Sequence, residues 1–125
     1  MRTFTKCLNV ETTRAPEFVD ITDLVVEALG ESEVEAGIAV VFSRHTTAAI
    51  KINENEPLLL QDMEHFLERS APKDAYYGHN DFELRTVSMR PNECPNGHAH
   101  CQHMILGTSE IVPVIGGKPL LGEFQ

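Results

Sequence analysis

Four of the six histidines in this 125-residue chain, His79, His98, His100 and His103, fall between residues 79 and 103. The run from His98 to Leu106 reads as a strand, and on a strand His98 and His100 point to one face, about 7 Å apart at roughly 3.3 Å per residue. Two imidazoles so placed can bind one metal ion if a third ligand comes from elsewhere. That set leaves an open position for water or substrate, as catalytic zinc sites do. The competing reading is one surface histidine and one core histidine held by a hydrogen bond. The turn Pro95-Asn96-Gly97 and the long polar segment before it weigh toward a site. Cys101 and His103 fall on the opposite face of that strand and read as packing or surface residues. His65 stands among Asp62, Glu64, Glu68 and Arg69 and reads as solvated.

A second cluster is Arg44-His45-Thr46-Thr47 at the end of an apolar run. A cation, an imidazole and two hydroxyls at a sheet rim suit an anionic group such as a phosphate. The same residues also suit an ordinary strand end, where threonine is favoured. Asn53-Glu54-Asn55-Glu56 precedes a helix and has the composition of a cap, so Asn53 or Glu56 serves a ligand only by facing the histidines. Gly107-Thr108-Ser109 can offer Thr108 and Ser109 to a phosphate or simply make a turn. No Ser-His-Asp order, nucleotide-binding glycine pattern or Walker motif occurs.

These residues need a frame. Residues 2–10 alternate as a strand does, and Glu17–Ile21 reads as a short second one. Thr22 reads as the N-cap of a helix that Gly30 stops, with Leu24, Val25, Ala28 and Leu29 as its apolar stripe. Ile38–Ser43 is a continuous apolar run, the pattern of a buried strand. Thr46–Asn53 alternates as another strand. Pro57 opens a helix over 57–69 with Leu59, Leu60, Met63, Phe66 and Leu67 on one face. Residues 73–97 show little periodicity, and so long a loop is functional or disordered. After the 98–106 strand, Glu110–Ile115 and Lys118–Phe124 flank a Gly116-Gly117 hairpin turn. The sum is one α+β domain over 1–125, with about seven mostly antiparallel strands and two main helices.

Composition narrows the partners. Lys and Arg number 10 against 19 Asp and Glu, a net charge of −9, so the basic footprint of a nucleic-acid binder is absent and anionic lipid is repelled. No apolar run approaches the roughly 18 residues of a membrane span, and the first residues lack the apolar core of a signal peptide. The expectation is a cytoplasmic protein with Cys7, Cys94 and Cys101 as reduced thiols.

Taken in order, the motifs His45-Thr46-Thr47-Ala48-Ala49-Ile50, Asn53-Glu54-Asn55-Glu56-Pro57, Tyr76-Tyr77-Gly78-His79-Asn80-Asp81, Asn96-Gly97-His98-Ala99-His100, Leu106-Gly107-Thr108-Ser109 and Leu121-Gly122 resemble the YjbQ-like family, whose members are also called secondary thiamine-phosphate synthase enzymes. The resemblance spans nearly the whole chain. It implies a sandwich-like α+β fold, a homotrimer, and a weak transferase activity that joins a pyrimidine methyl diphosphate to a thiazole phosphate and releases pyrophosphate. The positions that match the site are His45, His79, His98 and His100. A divalent ion, zinc or magnesium, held by His98, His100 and one of His45 or His79, would neutralise the diphosphate. Arg44, Thr46, Thr47, Asn53, Glu56, Thr108 and Ser109 would hold a small phosphorylated substrate. The alternative is a metal- or phosphate-binding trimer with incidental catalysis. Glu123-Phe124 departs from the Thr-Trp common in the family at this point, and the further apolar strand that usually follows has no counterpart here.

Overall fold

The structure is a computed structural model that describes residues 2–125. Helix α1 spans Thr22–Ser32 and begins where the Asp20 carboxylate accepts the Thr22 N–H. Ile21, rather than Thr22, takes the cap position. Gly30 does not stop the helix, which runs on to Glu33 in a left-handed conformation (φ 52°). Helix α2, Pro57–Ser70, has a stronger start. Pro57 stands in its first turn, and the Glu56 carboxylate accepts the N–H groups of Leu58 and Leu59 at 3.0 and 2.7 Å.

Strand β1 (Ala36–Phe42) pairs antiparallel with β2 (Ser109–Ile115), and β2 with the short β3 (Lys118–Pro119). Gly116 and Gly117 form the two-residue β2–β3 turn with φ of 60° and 72°, the positive values such a hairpin turn needs. The register sets Val40 beside Ile111 and Ile38 beside Pro113. One face of the sheet enters the core through Val112 and Val114. The other is apolar and open: Ile38 is 71% exposed and Ile111 64%, with Val40, Phe42 and Ile115 alongside. The continuous apolar run of β1 is therefore a strand with apolar side chains on both faces, of which this chain covers one.

Among the described residues, three antiparallel strands in one sheet overturn the seven-strand sandwich expected from the sequence; the α+β character remains. Residues 2–10 form no ladder. Arg2 and Lys6 pair instead with Glu33 and Glu31 near the end of α1. Glu17–Ile21 is likewise unpaired as strand. Thr46–Asn53 pairs with no strand; one backbone bond, from Ile50 N–H to the Gly107 carbonyl, and the side chains of Lys51 and Asn53, bonded to Glu110 and Met63, tie it to the rest. Of Lys118–Phe124, only Lys118 and Pro119 pair. Alternation marks what a segment can do in a sheet, but a strand exists only with a neighbour to bond.

The correction with most consequence concerns His98–Leu106. It is part of a helix, α3, spanning Gly97–Leu106. The residues favour this: Ala99, Gln102, Met104 and Leu106 are good helix formers, Ile105 is the only β-branched residue, and Gly107 closes the end with φ 86°.

Two contacts fix α3. At its start the Gly97 N–H donates to Asn80 Oδ1 at 2.8 Å, and a Cβ on Gly97 would lie 2.6 Å from Tyr77 Cβ. Only glycine allows that approach. Further along, the buried Gln102 amide donates to the Leu67 and Ala71 carbonyls, both at 3.2 Å, at the end of α2; the Leu67 carbonyl also accepts the Ala71 N–H, whereas that of Ala71 lies past the last turn and has no helical partner. Leu67 and Ala71 are themselves core residues with Val112 and Val114. Among the described residues, no helix is long and apolar enough to cross a membrane. Gln102→Ala is expected to lower stability by about 1–3 kcal/mol, the cost of stripping buried partners. Urea unfolding checks this, and an unchanged midpoint would show that the clamp carries no weight.

Candidate functional site

A helix turns about 100° per residue, so residues two apart stand about 200° apart around its axis. On α3, His98 and His100 therefore look in opposite directions. His98 faces inward. It is 9% exposed, its ring lies 6.4 Å from the Tyr77 ring, and its Nδ1 has no partner among the described residues. Burial, followed by the nearby Lys73 charge, holds its pKa below the usual histidine value. His100 is half-buried on the other side, edge-on to His79, with ring centres 4.7 Å apart and planes at 72°. Burial lowers its pKa first, and the neighbouring His79 and Arg85 add to this; the Thr46 main chain and Glu93 act the other way.

His79 belongs to a 3-10 turn, Gly78–Asn80. Its Nε2 lies 3.2 Å from Arg85 Nη1 and 3.6 Å from Glu93 Oε1. A guanidinium can only donate, so where Nη1 bonds this ring, Nε2 is the accepting nitrogen. Arg85 Nη1 also donates to Glu93 and to the His79 carbonyl. Its Nε and Nη2 donate to the carbonyls of Val87 and Ser88 at 3.2 and 2.8 Å. One arginine thus organises the segment from His79 to Glu93. In turn, its hydrogen bond to Glu93, helped by the Arg90 N–H and by its charge, holds that carboxyl below the usual range.

Among the sequence-derived site residues, the structure brings together His79, His100 and the Thr46 main chain. His45 is exposed and closes its own turn, its Nδ1 accepting the Thr47 N–H at 3.2 Å with Thr47 Oγ1 at 2.9 Å. Arg44 is exposed. Asn53 bonds the Glu54 N–H and Met63 Sδ, and Glu56 caps α2. The Thr108 carbonyl accepts the Ser43 N–H, and Ser109 opens β2. Arg85 and Glu93 escaped the sequence reading because the loop that carries them has no period. An arginine six residues after a motif histidine was the only signal.

The expected ion does not fit these residues. His98 and His100 cannot share it, since the strand spacing that joined them is helical spacing. Among the described residues no three His, Cys, Asp or Glu side chains are grouped to hold a metal. Where His79 and Glu93 approach, the Arg85 guanidinium already supplies the positive charge. Two open surface hollows, of about 460 and 210 Å³, are lined by residues 65–74 and 75–81; neither includes His79 or His100. The cluster thus sets a guanidinium and two imidazoles beside one carboxylate in a half-buried patch.

A three-stranded α+β chain with this cluster can be placed among known proteins. The family model described as UPF0047 protein YjbQ-like matches residues 6–125, and the chain belongs to that family. It is 42% identical to a UPF0047 protein of Methanothermobacter thermautotrophicus over 125 residues, covering all of this chain and 80% of the relative. It is 32% identical over 121 residues to the UPF0047 protein YugU of Bacillus subtilis, across 96% of this chain and 83% of that one. Among solved structures, a YjbQ/UPF0047-family protein of Clostridium acetobutylicum superposes with a TM-score of 0.79 at 36% identity, over 93% of this chain and 81% of that chain. A YbjQ-like protein of unknown function from Sulfolobus solfataricus gives 0.81 at 33%, over 93% and 76%.

Both depressed histidines make one stability prediction. The fold disfavours protonating His98 and His100, whereas the unfolded chain takes up those protons near pH 6.5. Below that pH the unfolded state binds more protons, so stability is full above about pH 6.5 and falls as the solution is acidified through the histidine range. Urea midpoints at pH 7.5 and 5.5 read this directly, and His98→Phe should flatten part of the slope. A wild-type midpoint that does not move contradicts the burial of these rings.

Proposed function

We propose that this protein binds a small phosphorylated compound at the cluster of His79, His100 and Arg85, and that its reaction is the thiamine-phosphate synthase type implied by the family resemblance. In that reaction the bond between the pyrimidine methylene carbon and the diphosphate oxygen breaks. The leaving pyrophosphate keeps the electron pair, and the lone pair of the thiazole ring nitrogen forms the new bond to that carbon. The demand on the protein is to stabilise charge on the departing oxygens, which needs donors and cations but no side-chain nucleophile. The observation that carries the reading is the placing of His79 between the two others, its ring 4.7 Å from that of His100 and its Nε2 3.2 Å from Arg85 Nη1. The binding module with incidental catalysis uses the same cluster and differs only in turnover.

Calorimetry with sulfate tests the site, because its charge does not change between pH 5.5 and 7.5. Protonation of His100 adds a donor and a charge, so binding should tighten as pH falls. His100→Ala should weaken it by about tenfold, the loss of one charge-assisted hydrogen bond. His65→Ala should change nothing. Tighter zinc binding in place of sulfate, lost in His79→Ala and His100→Ala, would instead favour a metal at this edge.

The protein also self-associates in this reading. The open apolar face of Ile38, Val40, Phe42, Ile111 and Ile115 supports a second copy as its cover, and the resemblance supplies the number three. Light scattering should return a trimer mass, and Val40→Glu should shift it toward the monomer. A clean monomer for the wild type would refute the assembly.

A further inference from the structure

Arg85 has a resident anion. Its Nη1 is shared among Glu93 Oε1, the His79 carbonyl and His79 Nε2, while Nε and one Nη2 donor are taken by Val87 and Ser88. An external phosphate that reaches the His79–His100 edge meets the Glu93 carboxylate, already bonded to the same guanidinium nitrogen and 3.6 Å from His79 Nε2. Few bonds besides that one hold the carboxylate. Apart from Arg85, its partners are the Arg90 N–H, at 3.3 Å, and its residue lies in a loop rather than a helix or strand. Its side chain is 16% exposed, so it is sheltered without being locked in the core.

We propose that Glu93 is a specificity-determining residue whose carboxylate occupies the position of a ligand oxyanion and must be displaced for a phosphate to bind. The proposal rests on the anion-site reading above and extends it. Exchange of one monoanion for another on Arg85 gains no Coulomb energy and loses a tethered partner. A dianion gains charge in the exchange and also reaches the two imidazoles. Glu93 thereby selects phosphate-like dianions over carboxylates in a chain whose net charge of −9 already disfavours weak anion binding.

The experiment is calorimetric titration of sulfate and of acetate into wild type, Glu93→Gln, Glu93→Asp and Arg85→Gln, with circular dichroism to confirm each fold. Glu93→Gln should bind sulfate about tenfold more tightly than wild type, the gain from removing one competing charge-assisted bond, and should begin to bind acetate. Glu93→Asp keeps the charge but reaches Arg85 less well, and should fall between the two. Arg85→Gln should bind neither anion. Sulfate affinity in a folded Glu93→Gln that equals or falls below wild type would overturn the role of Glu93, while the loss in Arg85→Gln would leave the anion site standing. If no variant and no wild type bound sulfate, the site reading itself would fall, and the proposal with it.

Discussion

The helical path of α3 is the constraint from which the rest of the site follows. Because 3.6 residues complete a turn, His98 and His100 are parted, one into the core against Tyr77 and the other to the rim against His79. The helix keeps this rotation because it is pinned at its start and again midway along. Gly97 abuts Tyr77 too closely for any side chain, and Gln102 bonds two carbonyls of α2. A slip of one residue along α3 would turn both rings by about 100° and break both pins. Packing thus decides which histidine is available for chemistry.

The second organising element is electrostatic. In an acidic chain, a half-buried guanidinium draws backbone carbonyls, an imidazole and a carboxylate around itself, and so folds a segment that has no periodic apolar pattern. Its five donors give the 79–93 stretch a defined shape where hydrophobic burial cannot. On the function proposed above, that arrangement suits an anion better than a cation. The positive charge is built in, and the nearby carboxylate is already committed to it.

Much of this was legible in the sequence where a local rule has a local cause. Pro57 after Glu56 marked the start of α2, the Gly116-Gly117 pair marked the hairpin, and the ordered motifs marked the family. The segment 98–106 was misread because His98, His100 and the residues between mimic alternation, although its helix-forming residues and the Gly107 stop pointed to a helix. The alternating segments at 2–10 and 46–53 failed for another reason: strand pairing depends on a partner elsewhere, which no local pattern supplies. His79 and His100 were identified by motif. Arg85 and Glu93 were not, because their positions come from hydrogen bonds across a loop, and those are invisible until the chain is folded.

The central claim is that an anion meets His79, His100 and Arg85 while His98 serves the core. Nuclear magnetic resonance of isotope-labelled protein, titrated with inorganic pyrophosphate, tests it most directly. The account expects the imidazole signals of His79 and His100 and the Arg85 side-chain Nε signal to move together with one affinity, and His98 to stay within small induced shifts. Shifts that centre on His98 and Tyr77, or on the surface hollow at residues 65–74, with the Arg85 signal unmoved, would contradict it.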